Sequence, residues 1–110
     1  MYTANSYQHK QNPYIVNQLN NATPQQLIMK VYDFAILHSQ KNDMVKTNQA
    51  IQVLIDSLNF SDAEASEISV GLMRLYQYCQ NQMRKQNNQL VTTILTDLRN
   101  TWNDALKNVK

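Results

Sequence analysis

A helix that is apolar on almost every side, between Asn21 and Leu37, most restricts what this chain can fold into. Thr23 followed by Pro24 reads as its start. The hydroxyl can accept a bond from an unpaired N–H of the first turn, and proline at the first helical position gives up an N–H that had no partner there. Leu27, Ile28, Val31, Tyr32 and Ala35 recur at spacings of three and four, which marks the usual core face. Met29, Phe34, Ile36 and Leu37 fall largely outside that stripe, and only Lys30, Asp33 and His38 are left to meet water. A helix of this kind is either central or covered by a partner. A chain of 110 residues has little protein with which to enclose one. The second face (Met29, Phe34, Ile36, Leu37) therefore points to a protein that binds something apolar.

The chain is long enough for one domain with one core. One Gly and two Pro supply few turn signals, which argues against a sheet of many short strands. Charged residues are sparse, and the polar surface is carried by fourteen Asn and thirteen Gln. A net charge of +2 with no basic run excludes a nucleic-acid footprint. There is no secretory apolar region and no apolar run long enough to span a bilayer, so no membrane insertion is expected. The lone Cys79 excludes an intramolecular disulfide and fits a cytoplasmic protein.

Residues 1–21 read as an arm. They are polar, without a sustained helical period, yet carry Tyr2, Tyr7, Tyr14, Ile15, Val16 and Leu19. A disordered tail is usually poorer in aromatic and branched residues, so the arm is expected to dock in part on the body. Residues 22–110 read as the helical domain. After the first helix, Lys41-Asn42-Asp43 makes a break, and a second helix is expected over about Met44 to Asn59 with stripe Thr47, Ala50/Ile51, Leu54/Ile55 and Leu58, and Val53 beside it. Ser61-Asp62-Ala63-Glu64 has the form of a capping box. It opens a third helix, to about Lys85, with stripe Ala65, Ile68, Leu72, Leu75/Tyr76, Cys79 and Met83. Gly71 inside it reads either as drift or as the close approach of another helix. Residues 86–89 form a turn in which Asn88 can cap a fourth helix, Gln89 to Asn108, that buries Val91, Ile94/Leu95, Leu98, Trp102 and Ala105. Short connections make successive helices antiparallel neighbours. The expected fold is all-α, an antiparallel up-down four-helix bundle with an N-terminal arm.

Chemistry is hard to find. His9 lies in the arm and His38 near the end of the first helix, neither with a ligand-spaced partner, so both read as surface residues. Cys79 falls on an apolar stripe, where a thiol acts as a small hydrophobe. Asp33, Asp56, Asp97 and Asp104 sit on separate turns, and no Gly-rich loop is present to cradle phosphate. No enzyme, no cofactor and no metal site is expected.

Four blocks in order resemble a known family. Asn21-Ala22-Thr23-Pro24-Gln25-Gln26-Leu27-Ile28 through Val31-Tyr32-Asp33 is similar to the "T-A-T/S-P-x-x-L … L-Y-D-G" opening of the flagellar secretion chaperone FliS family. Ile55-Asp56-Ser57-Leu58-Asn59 resembles the end of that family's second helix, Leu72-Met73-Arg74-Leu75-Tyr76-Gln77-Tyr78 its "L-x-x-L-Y-D-Y", and Leu98-Arg99-Asn100-Thr101-Trp102 its "L-R-x-x-W". Tyr7 and Asn12-Pro13-Tyr14 resemble its Tyr-bearing arm. Phe34 stands where the family usually has Gly, and Gln77 where it often has Asp. The stretch from Tyr32 to Ser57 is about a dozen residues shorter than usual, which trims the first helical hairpin by roughly three to four turns.

The resemblance implies a non-enzymatic export chaperone in the cytoplasm. Such a chaperone binds the C-terminal segment of flagellin, blocks premature polymerisation and presents the subunit to the flagellar type III export gate. It also implies that the arm covers part of the client groove when the client is absent. The residues suit that role: an amphipathic client helix needs an apolar groove, and Met side chains (Met29, Met44, Met73, Met83) adapt to one, although Met is more often plain core filler. The candidate partner-binding residues are Met29, Phe34, Ile36 and Leu37 on the first helix, Tyr7, Tyr14 and Ile15 as a lid, and Val53, Leu72, Tyr76 and Met83 as groove walls. Stripe position favours plain core packing for Leu72, Tyr76 and Met83. Tyr32, Leu75 and Trp102 match family blocks and read as mainly structural. Client-free molecules have the apolar face needed to pair as a homodimer. The rival reading is a generic helical regulatory module that binds an amphipathic helix of another protein. A nucleic-acid-binding domain would need a basic stripe that the sequence lacks.

Overall fold

The computed structural model describes residues 23–107 and folds them into four helices: α1 (Pro24–Gln40), α2 (Met44–Asp56), α3 (Ala63–Arg84) and α4 (Asn88–Lys107). The expected arm, with Tyr7, Tyr14 and Ile15, lies outside the described residues. α1 packs on α2 and α4, and α3 packs on α2 and, least closely, on α4. This is the expected antiparallel bundle.

Local chemistry sets the starts. Thr23 caps α1 with a full capping box: its Oγ1 accepts from the Gln26 N–H at 3.1 Å, and the Gln26 Oε1 accepts from the Thr23 N–H at 2.9 Å. Asp43 caps α2 by accepting from the Lys46 N–H at 3.1 Å. α3 starts differently from the expected Ser61 box. Asp62 is its cap, accepting from the Ala65 N–H at 2.8 Å, while the Ser61 N–H is taken by the Asn59 side chain at 2.9 Å. The acidic side chain of Asp62, one residue on, reaches the first turn and adds a charge that the helix N-terminus favours. α2 stops at Asp56 rather than Asn59.

Both hairpin turns end in the same way. The Asp43 N–H donates to the His38 carbonyl at 2.9 Å and the Asn42 N–H to that of Ser39 at 3.0 Å; Asn87 and Gln86 repeat the pattern on Gln82 and Met83 at 2.9 and 3.0 Å. These are Schellman motifs, with Asn42 (φ 56°) and Gln86 (φ 66°) in the left-handed position usually held by Gly. Asn88 does not cap α4. It lies in the first turn and donates its amide to the Ser39 carbonyl at 2.9 Å, while the Ser39 and Thr92 hydroxyls meet at 2.6 Å. The two turns are thereby stitched together at one end of the bundle.

The core runs through Tyr32, Ala35, Ala50, Ile51, Leu54, Tyr76, Cys79, Met83, Val91 and Leu95. The α2–α3 seam also holds a neutral polar clasp, in which Asn48 donates to the Gln80 carbonyl at 3.1 Å and the Gln80 amide donates to the Asn48 carbonyl at 3.2 Å. His38 is buried rather than on the surface, its ring 4.3 Å from that of Phe34. Three expected core residues face out: Ile68 is 59% exposed, and Trp102 and Ala105 are exposed. Gly71 gives no sign of a close helix approach, since a Cβ there would meet nothing within 4 Å. Its residual effect is a loss of helix propensity. Gly71→Ala is therefore expected to raise stability by about 0.5–1 kcal/mol, read as a shift of the urea midpoint with unchanged slope.

Candidate functional site

Helix length explains the main surface feature. α2 has 13 residues against 22 in α3 and 20 in α4. At 1.5 Å per residue it is shorter than α3 by about 13 Å. Its neighbours outrun it at the end away from the hairpin turns, where α1 and α3 begin and α4 finishes. The uncovered space is a groove of about 450 Å3. Ile28 and Met29 of α1, Leu54 near the end of α2, Leu58 just beyond it, Ala65, Ile68, Leu72 and Tyr76 of α3, and Trp102 of α4 form its apolar walls. Among the described residues, no charged one lines it. Ser69 supports the α3 wall by donating its hydroxyl to the Asn59 carbonyl at 2.6 Å.

At the inner end of the groove three polar groups meet. The Tyr32 and Tyr76 hydroxyls lie 2.6 Å apart, and the Trp102 indole N–H donates to Tyr32 Oη at 3.1 Å. Tyr32 is fully enclosed, Tyr76 is 3% exposed and lines the groove, and Trp102 is 39% exposed. Burial, and then donation to Tyr76, pushes the Tyr32 phenol well above its ordinary range; burial also raises Tyr76, partly offset by the bonds it receives. Beside this cluster, Asp33 and Arg99 pair at 2.8 Å across α1 and α4. Burial pushes the Cys79 thiol up to about 11, so it is a protonated core group at neutral pH.

The residues singled out in the sequence do not form one surface. Met29, Leu72 and Tyr76 come together in the groove. Phe34 and Leu37 are each 46% exposed but lie outside it, on the outer side of α1. Ile36 is half-buried against the core. Val53 is exposed and does not line the groove, and Met83 is a core residue rather than a wall. Ile28, Leu54, Leu58, Ala65, Ile68 and Trp102 were not expected there. They occupy ordinary stripe positions, and only the unequal helix lengths signal that the stripe runs on past its cover. Among the described residues, no group of three or more His, Cys, Asp or Glu is placed to hold a metal, and no helix is long and apolar enough to cross a membrane.

The family model of the flagellar protein FliS matches residues 5–109, nearly the whole chain. The chain belongs to the FliS family. Membership implies a flagellar chaperone role, in a family of chaperones rather than enzymes. Comparison with curated proteins and with solved structures gave no match. Within this FliS-family fold, the blocks around Tyr32, Tyr76 and Trp102 converge on the single hydroxyl cluster at the groove.

Two outcomes test this site. Tyr76→Phe leaves the enclosed Tyr32 hydroxyl without an acceptor and is expected to cost about 1–3 kcal/mol, whereas Tyr32→Phe frees groups that reach groove water and should cost roughly 1 kcal/mol or less. Urea unfolding of the two variants decides the order. For Cys79, the folded-state value near 11 lies above the ordinary 9.0. The folded state thus holds its proton longer, and the stability it contributes below pH 9 is lost as pH rises towards 11. That loss is about 3 kcal/mol in full. A stability profile from pH 8 to 10 should fall in the wild type and be flatter in Cys79→Ala.

Proposed function

We propose that this protein is a cytoplasmic export chaperone whose groove takes the C-terminal segment of flagellin as an amphipathic helix. The observation that carries the reading is an uncharged, apolar groove open at one end of a small helical bundle. An exposed apolar surface of this kind marks an interaction site. Its lining is mainly apolar, with Gln25, Ser57, Asn59 and Ser69 beside the Tyr76 hydroxyl. A helix laid in with its apolar face down fits such a lining. Met29, Leu72 and Tyr76 are assigned to the groove contact, and the outward Phe34 and Leu37 to a second contact along the same client.

Holding that segment would keep flagellin from polymerising early and would present it to the flagellar type III export gate. Residues 1–21, with Tyr7, Tyr14 and Ile15, are assigned as a lid that a client displaces. With neither lid nor client in place, the same face is available for a homodimer.

Calorimetric titration with a C-terminal flagellin peptide from the same genome, alongside circular dichroism, tests the reading. One-to-one binding with a negative heat-capacity change and a gain of helix is the expected result. Affinity should change by less than about two-fold with added salt, because no charge among the described residues lines the groove. Ile68→Lys, at a residue exposed enough to leave the fold intact, should weaken binding by about ten-fold or more. Deleting residues 1–18 should tighten it. A folded protein that gives no heat and no helix would overturn the proposal.

A further inference from the structure

The three polar groups at the inner end of the groove carry one hydrogen more than they can use. The Trp102 N–H is only a donor, and it donates to Tyr32 Oη. Between the two phenols, one hydroxyl donates and the other accepts at 2.6 Å. If Tyr76 were the donor, the Tyr32 hydrogen would be left inside a fully enclosed side chain with nothing to bond. A buried donor left unmade is the costly arrangement. The chain of donation therefore runs from Trp102 to Tyr32 to Tyr76, and the spare hydrogen is on Tyr76. Tyr76 is the member of the phenol pair that lines the groove. While the groove is open, water can accept that hydrogen. An occupant that dries the groove removes the water.

We infer that Tyr76 is a specificity-determining residue, and that the segment bound in the groove places a neutral acceptor side chain, an amide or hydroxyl oxygen, against the Tyr76 hydroxyl within an otherwise apolar face. The inference rests on the proposed client-binding role of the groove. A carboxylate would satisfy the same hydrogen, but no cation among the described residues lines the groove to offset the loss of its hydration. An all-apolar helix would leave the hydrogen unbonded and be rejected for it. This is the way a site built to hydrogen-bond one group discriminates against an analogue that lacks it.

The test is a cycle between peptide and protein. In the flagellin C-terminal peptide, each Asn, Gln, Ser and Thr is replaced in turn by the apolar residue nearest in shape (Leu, Met, Ala, Val). With the wild-type protein, one replacement is expected to weaken binding about ten-fold, the effect of one unmade buried hydrogen bond. With Tyr76→Phe the same replacement should cost less than about two-fold, because the hydrogen it served is gone. Should Tyr76→Phe fail to fold, Tyr32→Phe/Tyr76→Phe removes both hydroxyls together and serves in its place. If every replacement costs the same in wild type and variant, Tyr76 reads nothing and the inference is overturned. A parent peptide that binds neither protein overturns the client-binding role itself, and the inference with it.

Discussion

A 2.6 Å contact between two phenols on opposite corners of the bundle fixes how the helices can lie. α1 and α3 are not neighbours in the ring, so Tyr32 and Tyr76 must reach across the middle to meet. A pair of long, flat side chains bonded at their tips sets the width of the bundle at that level. A shift of either helix by a turn would break the bond and bury two hydroxyls without partners. Trp102 joins the pair from α4, so three of the four helices are registered at one point. α2 takes no part, and it is the helix that stops short. Without it the phenols have apolar protein on one side and the groove on the other.

The two ends of the molecule are built on different principles. At the hairpin turns the chain is satisfied by local and mostly neutral polar chemistry: two Schellman motifs, the Asn88–Ser39 bond and the Ser39–Thr92 hydroxyl pair, with the Asp43 cap as the charged member. The abundance of Asn and Gln makes sense here, since amides can both donate and accept within seams that hold no charge. At the other end α2 has run out, and apolar stripe residues are left facing open space. The site is thus a product of unequal helix lengths. The short α2–α3 connection closes one side of it through Ser57, Leu58 and Asn59.

Much of the architecture was legible in the residues. The spacing of Tyr32 and Ala35, of Thr47, Ile51 and Leu54, and of Val91 and Leu95 placed the core correctly, because apolar period is a direct consequence of helix geometry. The starts were less legible. Ser61 and Asp62 are both good caps one residue apart, and which one wins depends on the path of the loop from Asn59. The groove was the hardest to read. Phe34 and Leu37 looked like the binding face because they break the stripe, yet they lie outside the groove, while Ile68 and Trp102 looked like core because they keep it. Periodicity tells which side of a helix faces the bundle axis. It does not tell whether another helix is present at that height to meet it.

The uncovered end also sets how the native state comes apart. Within α3, the first two turns bury only Ser69, while Tyr76, Cys79, Gln80, Gln82 and Met83 are all buried further along. Cooperative opening follows buried contact, so backbone amides before Gly71 should exchange with solvent through small local openings, and those near Cys79 only through unfolding of the whole. The part of the protein that lines the groove is then the part that costs least to rearrange, and a segment seated there would extend the cooperative unit to the tip of the bundle.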